Sequence, residues 1–153
     1  MLSDMIKTLF TAMLPVLEIR GAIPVGVAAG LDPWLAFAVG VVGNMLPIPI
    51  LILVTRRVIN WLNKHGVLVR FTGWLERKGA EKARTVQQYS FWGLFILVAI
   101  PLPGTGAWTG ALVASLLDMR LKRALPAITM GVIAAGIIVL LLTYGVISVG
   151  SLT

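Results

Sequence analysis

The sequence predicts an all-α integral membrane protein with an inverted repeat. Each half is a re-entrant helical hairpin followed by a transmembrane helix, and an interfacial amphipathic segment joins the halves. Three observations lead there. Hydrophobic residues make up 58% of the 153 and charged ones only 12%, against about 25% charged in a soluble domain. A soluble chain this short buries too little of its surface to hide so much apolar area; lipid removes the need. The bases are also segregated. Eight of the thirteen Lys and Arg lie between Arg56 and Arg84, and Arg120, Lys122 and Arg123 form a second cluster. Finally, apolar segments broken by Pro and Gly alternate with unbroken ones.

The first apolar segment is read as a hairpin over residues 5–31. Leu14-Pro15 begins a break that continues through Glu18, Arg20, Gly21 and Pro24. Lys7 ahead of a short apolar run has the look of a signal peptide. The run is soon interrupted, however, and no convincing small-residue cleavage site follows, so it is read as mature structure. The second segment, Trp34 to Val54, is 21 residues without charge, enough to span about 30 Å as a helix. It is expected to end inside at Arg56 and Arg57, since bases accumulate in cytoplasmic loops. Asp32-Pro33 and the N-terminus are then external.

Residues 56–88 form the cytoplasmic connector. Val58, Trp61, Leu62, Leu68, Val69, Phe71, Trp74 and Leu75 interleave with Arg57, Lys64, Arg70, Arg77 and Lys78. Such a pattern suits a segment lying on the membrane and attracted to anionic headgroups; a solvated basic linker is the alternative.

The third apolar segment, Phe91 to Leu117, has 27 uncharged residues but centres on Pro101-Leu102-Pro103-Gly104-Thr105-Gly106. No continuous helix passes through it, because each proline lacks an amide donor and clashes with the preceding turn. Both flanks are basic, so a single span would put one cluster outside. A hairpin over 91–117 that enters and leaves on the cytoplasmic side satisfies both facts. The fourth segment, residues 125–149, is 25 uncharged residues long and spans with some tilt, leaving the C-terminus external.

Repeat one is thus 1–55 and repeat two 89–153, within a single membrane domain over 1–153. An offset of 86 sets Pro15 on Pro101 and Asp32 on Asp118. Gly26-x-x-x-Gly30 and Gly106-x-x-x-Gly110 lie in the second arms of the two hairpins, at an offset of 80, and suit close helix packing. Paired interrupted segments in two halves point to a transporter's binding site.

Glu18 and Arg20 are the leading candidates for chemistry. Charges at membrane depth cost several kcal/mol unless paired or hydrated, so they face cavities and serve function. Glu18 is the proton-carrier candidate, since burial disfavours an ionised carboxyl while a neighbouring arginine favours it. Arg20 suits a phosphate or carboxylate. The alternatives are a structural salt bridge at the hairpin tip and a solvated surface pair. The second tip, Pro101, Pro103, Gly104, Thr105 and Gly106, offers open backbone, tolerated at membrane depth only in protein or beside a wet cavity; packing alone is the alternative. Trp108 and Thr109 lie beside it, Trp108 first of all as a packing or interface residue; Asn44 and Pro47 are placed opposite, with a simple kink as the alternative, and Pro15, Gly21 and Pro24 are at the first tip.

Other classes fit less well. Nucleic-acid binding lacks any base-reading motif despite the net charge of +7. The absence of cysteine rules out disulfides and thiolate metal sites, and a lone histidine, His65, argues against a metal centre. Neither enzymatic activity nor a cofactor is expected.

The stretches Leu14-Pro-Val-Leu-Glu-Ile-Arg-Gly-Ala-Ile-Pro24, Gly43-Asn-Met-Leu-Pro-Ile-Pro49 and Ala99-Ile-Pro-Leu-Pro-Gly-Thr-Gly-Ala-Trp-Thr-Gly110 resemble the motifs of the small multidrug export family of prokaryotic membrane proteins. The resemblance covers nearly the whole chain. It implies an efflux protein of the cytoplasmic membrane. More distantly the layout is similar to the DedA (SNARE-associated, VTT) superfamily, which implies facing re-entrant hairpins and proton-coupled movement of lipids such as polyprenyl phosphates. Glu18 matches the acidic position of its first hairpin. The second hairpin departs, with Ile100 and Gly106 where that superfamily has arginines. The expectation is therefore a small secondary exporter of amphiphilic molecules, proton-coupled through Glu18, with Arg20 as counter-charge. Translocation of anionic lipids is the runner-up and a non-transporting assembly role the third reading. Membrane lipids are its surroundings, and a homodimer is expected because four short segments make a thin wall for a pathway.

Overall fold

The computed structural model describes residues 1–67, 70, 89–102 and 104–151. The expected connector beyond residue 67, Arg70 excepted, and Pro103 at the second tip lie outside the described residues.

Helix α1 covers Leu2–Met13. It stops because Leu14, which precedes Pro15, is driven to extended geometry (φ −72°, ψ 137°). Helix α2, Glu18–Ala28, follows after four residues. Its C-terminus closes with Gly30 at φ +92°. The Leu31 amide donates to the Gly26 carbonyl (3.0 Å) and the Gly30 amide to Val27 (3.0 Å), the double closure of a Schellman motif. Helix α3, Pro33–Met45, starts at once, because the Asp32 carboxylate accepts from the amides of Trp34 (3.0 Å) and Leu35 (3.3 Å) and Pro33 occupies the first turn.

The second segment is not one unbroken span ending at Val54. It bends at Leu46-Pro47, where proline has no amide to continue the ladder, and resumes as α4, Ile48–Lys64. This helix runs on through Arg56 and Arg57, so the first part of the expected connector continues the helix. Helix α5 is Tyr89–Ala99 and α6 is Ala107–Leu116. Asp118 (φ +50°) closes α6 as Gly30 closes α2. The Met119 amide donates to Ala114 (2.9 Å) and the Asp118 amide to Ser115 (3.2 Å). Helix α7, Leu121–Gly150, completes the chain.

Both first arms end two residues before Pro15 or Pro101. After the tips the two helix closures, at Gly30-Leu31 and at Asp118-Met119, lie 88 positions apart. The second break has seven residues where the first has four, which shifts the register.

Among the described residues the architecture is all-helical. Pro33–Lys64 and Leu121–Gly150 are long and apolar enough to cross a membrane. Helices α1, α2 and α3 pack together, α4 packs on α6, and α7 joins the two groups through α2, α3 and α6. The core contains many small side chains: Ala107, Ala111, Ala114, Ala124, Ala127 and Ala135 are all buried, around Ile19, Ile23, Ile48, Ile52 and Ile128. The outside is apolar, with Ile50, Val58, Leu141, Leu142 and Val146 well exposed. Small residues inside and large aliphatic ones outside suit helix packing in lipid, where close approach rather than water exclusion drives association.

Candidate functional site

The site forms where the first break meets the second. Glu18 opens α2 and is 4% exposed. Its φ of +47° is uncommon for a residue other than Gly, Asn or Asp. Two positions apart on a regular helix, Glu18 and Arg20 point in different directions. The left-handed turn at Glu18 removes that restriction, and both side chains line one crevice.

Each charge is held by the opposite helix pair. The Trp108 amide donates to Glu18 Oε1 at 3.1 Å, and the Ala107 amide also faces this carboxylate. These are first-turn amides of α6, the positive end of its dipole, where an anion is favoured. Gly106, at φ +137°, makes the approach possible: a Cβ there would sit 2.7 Å from Glu18 Cδ. Arg20 reaches the other side of the same break. Its Nη2 donates to the Ile100 carbonyl (2.9 Å) and to Thr105 Oγ1 (2.9 Å), and Nη1 donates to the Leu102 carbonyl. These carbonyls lie just past the end of α5, the negative end of a helix. Among the described residues the ion pairs are those of Asp4, with the N-terminus and Lys7; Glu18 and Arg20 do not form one.

The neighbouring polar groups are tied to backbone. Thr105 Oγ1 is within 2.8 Å of the carbonyls of both Ile100 and Leu102, and Thr109 Oγ1 donates to Gly104 (3.0 Å). The Trp108 indole donates to the Met13 carbonyl (3.3 Å), joining α6 to the end of α1. Asn44 differs. It is 1% exposed, lines the same crevice, and neither amide atom has a hydrogen-bond partner. Arg20 Nε is buried and unpartnered too. The crevice is narrow, with no room for a water molecule in this conformation.

The structure thus gathers Glu18, Arg20, Asn44 and Gly106 in the crevice, with Thr105 and Trp108 bonded to its two charges; Pro101 and Thr109 do not line it. Pro15 stays in the exposed first break, Pro24 lies within α2, and Pro47 sits at the α3–α4 bend. Gly21 faces Leu17 of the preceding turn, and Gly104 (φ +83°) has open space around it. The glycine pairs divide. Gly26 packs against Thr8 and Ala36 and Gly110 against Val98, whereas Gly30 has nothing within 4 Å and serves the turn.

Several contributors were not singled out from sequence. At Gly43 an added Cβ would lie 2.6 Å from the Leu9 carbonyl, at Gly131 2.6 Å from Val98, and at Gly136 2.7 Å from Ile19 and Phe37. The signal was present: Ala124, Ala127, Gly131, Ala135 and Gly136 recur at helical spacing along α7, a stripe of small residues.

The family described as "Putative small multi-drug export protein" matches residues 18–138. The chain belongs to this family. The match begins at Glu18 and takes in both breaks' second arms, Asn44 and the crevice-lining part of α7. No curated protein and no solved structure matches the chain. Two helices long and apolar enough to span and membership of an export-protein family point to a membrane protein.

Proposed function

We propose that the chain is a small secondary transporter exporting amphiphilic molecules across a prokaryotic cytoplasmic membrane, with Glu18 as proton carrier and Arg20 as counter-charge. The observation that carries this reading is the buried Glu18 carboxylate on the α6 amides, beside an unpartnered Asn44 in one crevice. A carboxylate kept from water and held by hydrogen bonds that favour its charged form exchanges partners when it takes a proton.

In this reading α1–α2 and α5–α6 are re-entrant hairpins entering from opposite sides, α3–α4 and α7 are the spans, and the halves form an inverted repeat. The matched closures at Gly30 and Asp118 support that equivalence. The described conformation is the closed one, and alternating access rocks one hairpin against the other. A homodimer would complete the wall of so small a bundle. Translocation of anionic lipids is the second reading, favoured by the donor-rich side of the crevice, where Arg20 Nε and Asn44 Nδ2 lack acceptors.

The test is flux in proteoliposomes of the purified chain under an imposed pH gradient, with Glu18→Gln as control. Fluorescent amphiphiles of both charge signs and a labelled polyprenyl phosphate are run side by side. Gradient-driven movement lost in Glu18→Gln supports a proton-coupled carrier, and the moving probe identifies its class. Equal, negligible movement in wild type and variant, with both folded, would reject transport in favour of an assembly role.

A further inference from the structure

We infer that the α6 N-terminus, Arg20 and Asn44 form a binding site for a small monoanionic group, of the sulfate-ester kind, and that the Glu18 carboxylate is its tethered competitor. The inference rests on the transporter reading and names the ligand chemistry of the same site. A helix N-terminus with a cation beside it is an anion site by construction. Here a carboxylate from the other helix pair occupies it, bonded to Trp108 N with Ala107 N adjacent. Asn44 supplies the independent sign of a ligand. A side chain 1% exposed with both amide atoms unpartnered is rare in a native structure and calls for an absent partner. Its Nδ2, together with Arg20 Nε, adds two donors to the two backbone amides.

Glu18 and the anion cannot hold these amides together. When Glu18 takes one proton from the aqueous phase it loses its charge-assisted bonds to α6 and yields them to the incoming anion. For a monoanion one negative charge replaces another, so the charge of the buried crevice is unchanged and no uncompensated ion is left in a poorly solvated space. One proton is therefore taken up for each anion bound. The surroundings leave Glu18 as the titrating group. Arg20 is the charged side chain beside it; α3, α5 and α6 carry none among their described residues. Lys122 and Arg123 of α7 lie nine or more residues from the crevice-lining Val132, and Asp4 and Lys7 of α1 at least six from Met13. Arg56 and Arg57 belong to α4, which does not line the crevice.

The probes are methyl sulfate and hexyl sulfate, monoanions whose charge is constant over the working pH range, titrated calorimetrically into the purified full chain in detergent. Wild-type affinity is expected to weaken about tenfold per pH unit above the Glu18 transition, the slope for one linked proton. Glu18→Gln should bind at least as tightly as wild type at its acidic limit, with no slope. Asn44→Leu should bind several-fold more weakly while keeping the slope, which also serves if Glu18→Gln does not fold. Equal binding of both probes assigns a free anion, and tighter binding of hexyl sulfate assigns an amphiphile headgroup. Wild-type binding that is absent or flat with pH would overturn the inference, as would Asn44→Leu binding like wild type. Gradient-driven flux alongside flat probe binding would sink this inference and leave the transporter reading standing; linked binding without flux would do the reverse.

Discussion

Gly106→Ala probes the site at its tightest point. The glycine sits at φ +137°, ψ −167°, backbone that side-chain-bearing residues avoid at a cost of about 1–3 kcal/mol. The added Cβ would also stand 2.7 Å from Glu18 Cδ, so the carboxylate must leave the Trp108 amide. A hydrogen bond to a charged group contributes about 1.5–3 kcal/mol, which brings the expected loss to roughly 3–6 kcal/mol. That is a large part of the stability of a domain this size, about 5–15 kcal/mol. The two parts separate in a double-mutant cycle. In a Glu18→Ala background the clash is gone and Gly106→Ala should cost only the backbone part, leaving a coupling of about 1.5–3 kcal/mol. Unfolding by SDS in mixed micelles, followed by circular dichroism, measures all four corners. Additivity within about 0.5 kcal/mol would refute the reasoning and reduce Gly106 to a turn residue with no bearing on Glu18.

Two further perturbations test the supports. Arg20→Lys replaces a fork that reaches Ile100, Leu102 and Thr105 with a point charge unable to span them, for an expected loss of about 1–3 kcal/mol; a lysine variant as stable as wild type in the same micelle titration would show the fork to be dispensable. Asp32→Ala removes the cap of α3, with two amides left to water, and should cost about 1 kcal/mol without changing anion affinity. A larger loss would mean that Asp32 does more than cap.

Much of this was legible in the sequence because it rests on local chemistry. The ends of α1 and α5 follow from Leu14-Pro15 and Ile100-Pro101, and the start of α3 from Asp32-Pro33. That Glu18 and Arg20 need partners followed from the cost of charge in an apolar segment. What escaped depends on distant partners. Nothing near Glu18 in the chain shows that its carboxylate caps a helix 89 positions later, nor that Arg20 serves carbonyls 80 positions away. Asp32 and Asp118, alike in type, differ in place: one caps a helix start, the other closes a helix end. The bend at Leu46-Pro47 was underweighted because a run of uncharged residues reads as one span whatever its backbone does.

The pairing of the two breaks explains why the charges are arranged as they are. A broken helix exposes donors at one end and acceptors at the other, and lipid satisfies neither. The α5–α6 break presents both, the amides of Ala107 and Trp108 and the carbonyls of Ile100 and Leu102. Glu18 meets the donors and Arg20 the acceptors, so two residues at the start of α2 cap both ends of the α5–α6 break. A salt bridge between Glu18 and Arg20 would neutralise the pair and leave all of these groups bare. The same logic sets the terms of any opening. Parting the helix pairs uncovers donors and acceptors together, and a ligand that replaces only one set leaves the other to be met by water. An anion with its proton on Glu18 replaces the carboxylate alone, so Arg20 can stay on its carbonyls while the crevice opens on the side of Asn44. In the proposed carrier the hinge is then at Arg20 and the moving contact at Glu18.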